Sequence, residues 1–231
     1  MDTQLIEHFE KSFSIKIAKT KEDLDKVFKI RYNVYCQEFG FEDLNDDLLE
    51  IDKFDNVSLH CLIIHNETNI PAGCARLIPG EFIQLPIEHE CKDLQLISNF
   101  NRNSICEISR LAVDPLFRRR LNENASKYGA ISEKSLQDNR SFPLITIVAL
   151  LACIVLTDIK KTPNGFAIME PFLPRLLKRS NINFNKIGKA IEHHGIREPF
   201  YTSAIDVKRE LPPELFGMYQ HISEQIVLCK I

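Results

Sequence analysis

The sequence predicts one mixed α/β domain with a central mixed sheet flanked by helices. Its 231 residues are 44% hydrophobic and 26% charged, which suits a globular chain with a buried core. Apolar residues alternate in some segments and recur at helical spacing in others, and the two kinds of segment are interleaved. No Gly/Ser-rich linker or internal repeat divides the sequence. One domain over residues 1–231 therefore fits best.

The first half of the sequence predicts a strand, a helix, a loop and a hairpin. An alternating segment predicts a strand at 13–19, and Thr20 is placed to cap the helix that follows it. The acidic segment 38–55 predicts a long loop. Two apolar segments, 58–66 and 71–79, lie on either side of a short turn and predict a hairpin.

The second half is dominated by a long strand and a strongly apolar helix. We first expect a loop with a short helix at 85–96, followed by the long strand at 104–113 and a mobile polar segment at 121–141. The apolar helix at 142–161 and a strand at 165–171 come next. An amphipathic helix at 171–181, a strand at 184–195 and a final helix in the tail 201–226 complete the predicted order. The apolar run within the helix is shorter than the roughly 20 residues that a membrane span requires. We therefore predict a buried helix and no transmembrane segment, with an interfacial segment as the alternative.

The net charge, the cysteines and the histidines argue against nucleic-acid binding, disulfides and a metal site, respectively. The formal net charge is −3, which gives the whole molecule no electrostatic basis for binding nucleic acid. The seven cysteines form no CxxC motif, which favours buried reduced thiols over disulfides and a cytoplasmic location. We find no secretory signal pattern. His193 and His194 are neighbours on a predicted strand, where they would face opposite sides, so we predict no metal site.

The segment 104–113 carries functional groups within it and just beyond it. Glu107 and Arg110 lie within the strand, and a basic turn follows that contains Arg118, Arg119 and Arg120. The predicted order of strand, helix, loop, hairpin, long strand, basic turn, helix, strand and helix resembles the layout of an N-acetyltransferase-type domain. In that layout the arginines would bind a phosphate of the acyl donor. The alternative is a solvated basic turn. The turn lacks glycine, which favours a carrier with a single phosphate, such as acyl carrier protein, over the pyrophosphate of coenzyme A.

An ordered series of motifs makes a resemblance specific. The chain resembles the PEP-CTERM/exosortase system-associated acyltransferases, relatives of the N-acyl amino acid synthases and of the acyl-homoserine-lactone (autoinducer) synthases. The similarity extends from about residue 25 to 207, without 121–141, and rests on RYNVYCQEFGFED, IDKFD, CARLI, LPIEHEC, EISRLAVDPLFRRR, MEPFLPRLLKRSNINFNKIG and IEHHGIREPFYTSAID. It implies a GNAT-like acyl-CoA N-acyltransferase fold and transfer of a fatty acyl group from a thioester to an amine.

The resemblance also implies site residues. The family's functional positions fall on Arg31, Tyr35, Asp52, Asp55, Arg76, Glu107 and Arg110. A tryptophan that the family has in the acidic loop is absent here, and Phe39 and Phe41 are the candidates to replace it, so the identity of the amine stays open.

The predicted polar residues allow two roles. Two acids, Asp52 and Asp55, and two guanidiniums, Arg31 and Arg76, would neutralise each other near one core. In the first role, the network does no more than hold the acidic loop over the sheet. In the second, it also binds the substrate. The two roles are compatible, and the sequence leaves both open.

Glu107 is the predicted general base. A partly desolvated carboxylate on a central strand has a raised pKa and can take a proton from the attacking amine. The backbone N–H groups of Leu111 and Ala112 are the predicted oxyanion site, and Leu111, Ala112 and Val113 are the predicted acyl-donor-binding residues. Arg110 lies three residues after Glu107, so strand alternation places it on the opposite face unless a bulge intervenes, and there it would orient a loop or a substrate carboxylate.

The sequence thus predicts an N-acyltransferase that moves a medium or long acyl chain onto a small amine, for example an amino acid. The donor is the thioester of acyl carrier protein, a transient partner, or of coenzyme A, and we expect no tightly bound cofactor. Two alternatives remain. One is a catalytically silent module that binds acyl carriers, and the other is a small-group N-acetyltransferase that uses acetyl coenzyme A.

Overall fold

The computed structural model describes residues 3–117 and 141–228. The strands of this part are β1 (Phe13–Ile17), β2 (Leu59–His65), β3 (Ile70–Pro79), β4 (Ile105–Val113), β5 (Asn164–Met169), β6 (Asn185–Lys186), β7 (Ile191–Glu192) and β8 (Ile196–Ser203). The α-helices are α1 (Thr3–Ser12), α2 (Lys21–Arg31), α3 (Pro86–Glu90), α4 (Ser141–Lys160), α5 (Phe172–Lys178), α6 (Ala204–Glu210) and α7 (Pro213–Leu228).

One mixed sheet organises the molecule, as the sequence predicts. The strands lie in the order β1-β2-β3-β4-β5-β8-β6, with β7 paired to β8. All neighbours are antiparallel except β4 and β5, which are parallel. The parallel pairing covers only Ile105–Glu107 against Asn164–Phe166. Beyond this point both strands continue without pairing to each other, so a gap opens in the middle of the sheet.

Helix α2 begins where the sequence predicts, because the Thr20 Oγ1 atom accepts a hydrogen bond from the Asp23 N–H at 3.1 Å. The helix then continues as a π-helix over Tyr32–Glu38. Wider π-helical turns are rare and often occur at functional sites. Here the π-helix carries Tyr35 to β4, where its hydroxyl donates to the Leu111 carbonyl at 2.8 Å.

Helix α4 is the buried helix that the sequence predicts. Every side chain from 144 to 157 is buried, because one side of the helix packs on β2, β3 and β4 and another packs on α7. A helix enclosed in this way needs no polar face. Within the described residues, none of the helices combines the length and the hydrophobicity that crossing a membrane would require.

Two parts of the fold differ from the prediction. The predicted strand at 184–195 is instead two two-residue strands and a turn in which His194 and Gly195 have φ values of 52° and 91°. The main strand here, β8, lies just afterwards and pairs with β5 over six positions. Helix α1 was not predicted, and the segment predicted to be mobile lies outside the described residues up to residue 140.

Candidate active site

The gap between β4 and β5 opens into a cavity of about 500 Å³, within the range of small-molecule sites. Its walls come from β4, β5, α4, α5, the π-helix and the acidic loop. One end is apolar and is lined by Leu150, Met169, Leu173, Leu177 and Phe184. The other end carries charged side chains. The cavity can therefore hold a ligand with an apolar tail and a polar reacting end.

The unpaired edge of β4 offers backbone groups to such a ligand. Ladder hydrogen bonds to β3 continue to the Asp114 N–H, which donates to the Ala72 carbonyl at 2.9 Å. Because donors alternate along an antiparallel strand, the Val113 N–H points away from β3 and toward the gap. The Ala112 N–H lies on the β3 side, beside the Cys74 thiol. All three predicted donor-binding residues, Leu111, Ala112 and Val113, line the cavity, but Val113 is better placed than Ala112 to donate from its backbone.

A β-bulge in β4 overturns the predicted direction of Arg110. Cys74 pairs with Ala112 and Arg76 with Ser109, so Arg110 and Leu111 together face one residue of β3. Arg110 takes a left-handed conformation with φ of 50°, which breaks the strand alternation. Its guanidinium pairs with Asp52 at 3.1 Å, and Asp52 also binds Arg76. Arg110 and Glu107 therefore line the same cavity.

Glu107 is a buried carboxylate at the point where β4 and β5 separate. One carboxylate oxygen accepts a hydrogen bond from the Ile87 N–H at 2.8 Å. Burial raises the pKa of Glu107 to about 8, although the Ile87 hydrogen bond and the charges of Arg76 and Arg110 act in the opposite direction. A carboxylate with a pKa near neutrality can exchange a proton with a bound amine.

The predicted charge network is present. The fully buried Arg31 donates to both carboxylate oxygens of Asp55, at 2.7 and 3.0 Å. Arg76 donates to Asp52 at 2.6 Å and to Asp55 at 2.8 Å. Burial alone would raise the pKa of Asp55, but the hydrogen bonds and charges of Arg31 and Arg76 hold that pKa well below its usual range.

The network divides the predicted substrate-binding residues. Tyr35, Asp52 and Arg76 line the cavity, whereas Arg31 and Asp55 lie behind it. Arg31 and Asp55 do not line the cavity, because both are buried and paired with oppositely charged buried side chains. They hold the acidic loop, and the residues in front of them face the cavity.

Glu50 is a central member of this network that the sequence prediction missed. Its buried carboxylate binds Arg31 Nε and pairs with Arg110 at 3.1 Å, and Glu42 also pairs with Arg110 at 3.3 Å. The acidic segment 38–55 contains eight acids, and their spacing does not distinguish Glu50 from the others. Its burial is decided by tertiary packing alone.

His60 lies beneath the network. The side chain is buried, and neither ring nitrogen has a hydrogen-bond partner among the described residues. Asp55 lies 3.6 Å from the Nε2 atom. Burial lowers the pKa of His60 to about 4, so the ring is neutral at pH 7. His60 is therefore a neutral histidine of the core.

A cluster of aromatic rings forms part of the cavity lining. Phe41 stacks on Phe39 and on His194, with ring centroids 5.1 Å apart in both pairs. Arg197 lies over the Phe41 ring at 5.4 Å. All four residues line the cavity, so Phe39 and Phe41 occupy the region where the sequence predicts an aromatic substitute.

The two histidines are not arranged as predicted. They lie in a turn with ring centroids 4.7 Å apart, because the strand that would separate them is absent. His193 lies 3.3 Å from Glu90. No group of three or more metal-ligating side chains occurs in residues 3–117 and 141–228.

Comparisons with known proteins agree with this architecture. Residues 30–125 match the family model described as an acetyltransferase (GNAT) domain, and no curated protein matches the sequence. The acyl-homoserine-lactone synthase LasI has a TM-score of 0.60 at 14% identity, over 87% of this chain and 96% of that chain. The chain has a GNAT-like fold.

Two other solved structures share the GNAT-like fold. BjaI, a CoA-dependent acyl-homoserine-lactone synthase solved with SAM and isopentyl-CoA, has a TM-score of 0.62 at 15% identity, over 91% of this chain and 89% of that chain. FeeM, an N-acyl amino acid synthase from uncultured soil microbes, has a TM-score of 0.59 at 10% identity, over 88% and 97%. The family match and the GNAT-like fold support an acyltransferase of the GNAT type. The association with the PEP-CTERM/exosortase system stays a prediction.

The remaining residues of interest are the three arginines of the basic turn, the cysteines and Ser109. Arg118, Arg119 and Arg120, the predicted phosphate site, lie outside the described residues. The six described cysteines are buried and free, as predicted. Ser109, next to the candidate base, accepts a hydrogen bond from Arg76 Nε at 3.1 Å and so belongs to the charge network.

Proposed function

We propose that the protein is an N-acyltransferase that moves a medium or long fatty acyl chain from a carrier thioester to the amine of a small molecule. The observation that carries the proposal is the gap between β4 and β5. It joins an apolar cavity to a buried carboxylate with a pKa of about 8. A thioester lying along the unpaired edge of β4 would have its acyl chain in the cavity and its carbonyl near Glu107.

The reaction follows from this placement. The amine nitrogen attacks the thioester carbonyl carbon, the C–N bond forms, and the C–S bond breaks. Glu107 takes the proton that the amine must lose and returns it to the departing thiolate of the carrier, which leaves as a thiol. The backbone N–H of Val113 would stabilise the oxyanion. The products are an amide and the free thiol of the carrier.

The apolar end of the cavity favours a long acyl chain over an acetyl group. The lining side chains of α4 and α5 supply an apolar wall, including Leu150, Leu173 and Leu177. Each buried methylene contributes roughly 0.8 kcal/mol, so six methylenes would contribute about 5 kcal/mol to donor binding. An acetyl group has no methylene to place there. This observation disfavours the small-group acetyltransferase.

The donor is proposed to be acyl carrier protein, as a transient partner, with acyl coenzyme A as the other source of the same thioester. The glycine-free turn with Arg118, Arg119 and Arg120 supports a carrier with one phosphate. Either donor acts as a co-substrate, and no tightly bound cofactor is needed for the chemistry. Cytoplasmic acyl donors and the free thiols are consistent with a cytoplasmic location.

Product capture tests the proposal against a silent acyl-carrier module. The wild-type chain and Glu107→Gln would be expressed in a bacterium, and native mass spectrometry and lipid extraction would be applied to both. We expect an N-acyl amine in wild-type cells and a loss of it with Glu107→Gln. Retention of an acyl carrier by both proteins, with no acylated amine in either sample, would instead establish the silent module.

A further inference from the structure

The guanidiniums at the polar end of the cavity are already bound by carboxylates. Arg76 pairs with Asp52 and with the Asp55 behind it. Arg110 pairs with three acids, which are Glu42, Glu50 and Asp52. Arg197 donates to Glu170 at 2.6 Å. Each guanidinium described in the cavity therefore has at least one acidic partner.

Three of the carboxylates that line the cavity are also more accessible than its guanidiniums. The side chains of Glu42, Glu90 and Glu170 are 39%, 41% and 41% exposed. Those of Arg76, Arg110 and Arg197 are 1%, 24% and 15% exposed. The most accessible charged groups described at this end of the cavity are consequently acidic.

The charges at this end do not cancel. Leaving out Glu107 and the histidines, the six carboxylates of the lining and of its ion-paired partners are Glu42, Glu50, Asp52, Asp55, Glu90 and Glu170. The four guanidiniums are Arg31, Arg76, Arg110 and Arg197. The difference is a net charge of −2 among these described groups. An ammonium is attracted to such a site and a carboxylate is repelled.

The aromatic part of the lining has the same preference. Phe39 and Phe41 line the cavity, and the face of an aromatic ring attracts a cation. Arg197 already lies over Phe41 in this way. The exposed Phe39 ring and the acids of the lining therefore both favour a positive charge on the ligand.

We infer that the acceptor is a cationic amine without a carboxylate beside its reacting nitrogen, such as a diamine or an arylalkylamine, and not an α-amino acid. The inference rests on the proposed function and specifies its substrate class. It also replaces the sequence-based expectation that Arg110 orients a substrate carboxylate, because three acids already surround that guanidinium.

Matched acceptor pairs test this inference. Agmatine and arginine differ only by the carboxylate, as do phenethylamine and phenylalanine. Acylation of each would be measured with octanoyl-acyl carrier protein and octanoyl coenzyme A, and binding of each to the protein would be measured by titration calorimetry. We expect at least one decarboxylated amine to exceed its amino acid by about tenfold or more in both kcat/KM and affinity.

The outcomes separate the two proposals. Equal or better acylation of both amino acids would overturn the cationic acceptor and leave the acyltransferase standing. Failure of every acceptor to be acylated, with a donor that binds, would overturn the acyltransferase. In that case, tighter binding of the amines than of the amino acids would still support the charge selectivity. Equal binding of the amines and the amino acids would overturn the charge selectivity as well.

One substitution tests the mechanism of selectivity. Glu170→Gln releases Arg197 from its acidic partner, so relative use of the amino acid in each pair should rise several-fold. Glu67→Gln, an exposed acid on the turn between β2 and β3, is the matched control and should leave the ratio unchanged. An unchanged ratio in Glu170→Gln would contradict a charge-based selection.

Discussion

Replacing Arg31 with methionine should cost about 3 kcal/mol of unfolding free energy. The side chain is fully buried and binds Glu50 and Asp55, whose side chains are also buried. Breaking a buried pair by removing one partner typically costs about 3–5 kcal/mol, because a charge is left unpaired. The lower end applies here, since Glu50 keeps Arg110 and Asp55 keeps Arg76.

Urea denaturation at pH 7 measures this cost. Arg209→Met is the matched control, because Arg209 is exposed and pairs only with surface acids, so its loss should be below about 1 kcal/mol. The difference between Arg31→Met and wild type should narrow below pH 3.8. The folded pKa of Asp55 is depressed, so its stabilisation is present above that value and is lost on acidification. A loss in Arg31→Met as small as in the control would refute the network.

Three other predictions concern donor binding and pH. Replacing residues 118–120 together with alanine should weaken donor binding and flatten its salt dependence. If the variant keeps the wild-type donor affinity and salt slope, the three arginines do not bind the donor and belong only to a solvated turn. His60→Leu should remove a loss of stability that wild type shows as pH falls from 6.5 toward about 4, measured by denaturation at several pH values. The unfolding free energy of wild type should fall as pH rises from 4.5 through about 8, and Glu107→Gln should not show this fall. The same pH dependence of the unfolding free energy in both proteins would contradict the raised pKa.

Elements with a clear local pattern were predictable from the sequence. The cap at Thr20, the hairpin, the long strand and the apolar helix depend on residue types and spacing within one segment. The arginines and acids of the charge network were also predictable as a group, because buried charges must pair. The resemblance to acyltransferases implied the GNAT-like arrangement of these elements.

Features that depend on neighbouring strands were not predictable. The direction of Arg110 is set by a bulge, which requires the register between β3 and β4. Strand β8 includes Arg197, Glu198 and Pro199, a polar and proline-containing start that conceals the strand in the sequence. Its pairing with β5 places it in the sheet. Glu50 was missed for a similar reason, since its partners are distant in sequence.

Single-turnover acyl transfer by Glu107→Gln tests the central claim most directly. The substitution keeps the shape of the side chain and removes the proton acceptor, so the chemical step at pH 7 should fall by roughly 10²–10⁴-fold. Donor binding should change little, and high pH should partly rescue the variant because the amine then arrives deprotonated. Wild-type turnover by Glu107→Gln at pH 7 would contradict the account and remove Glu107 as the base.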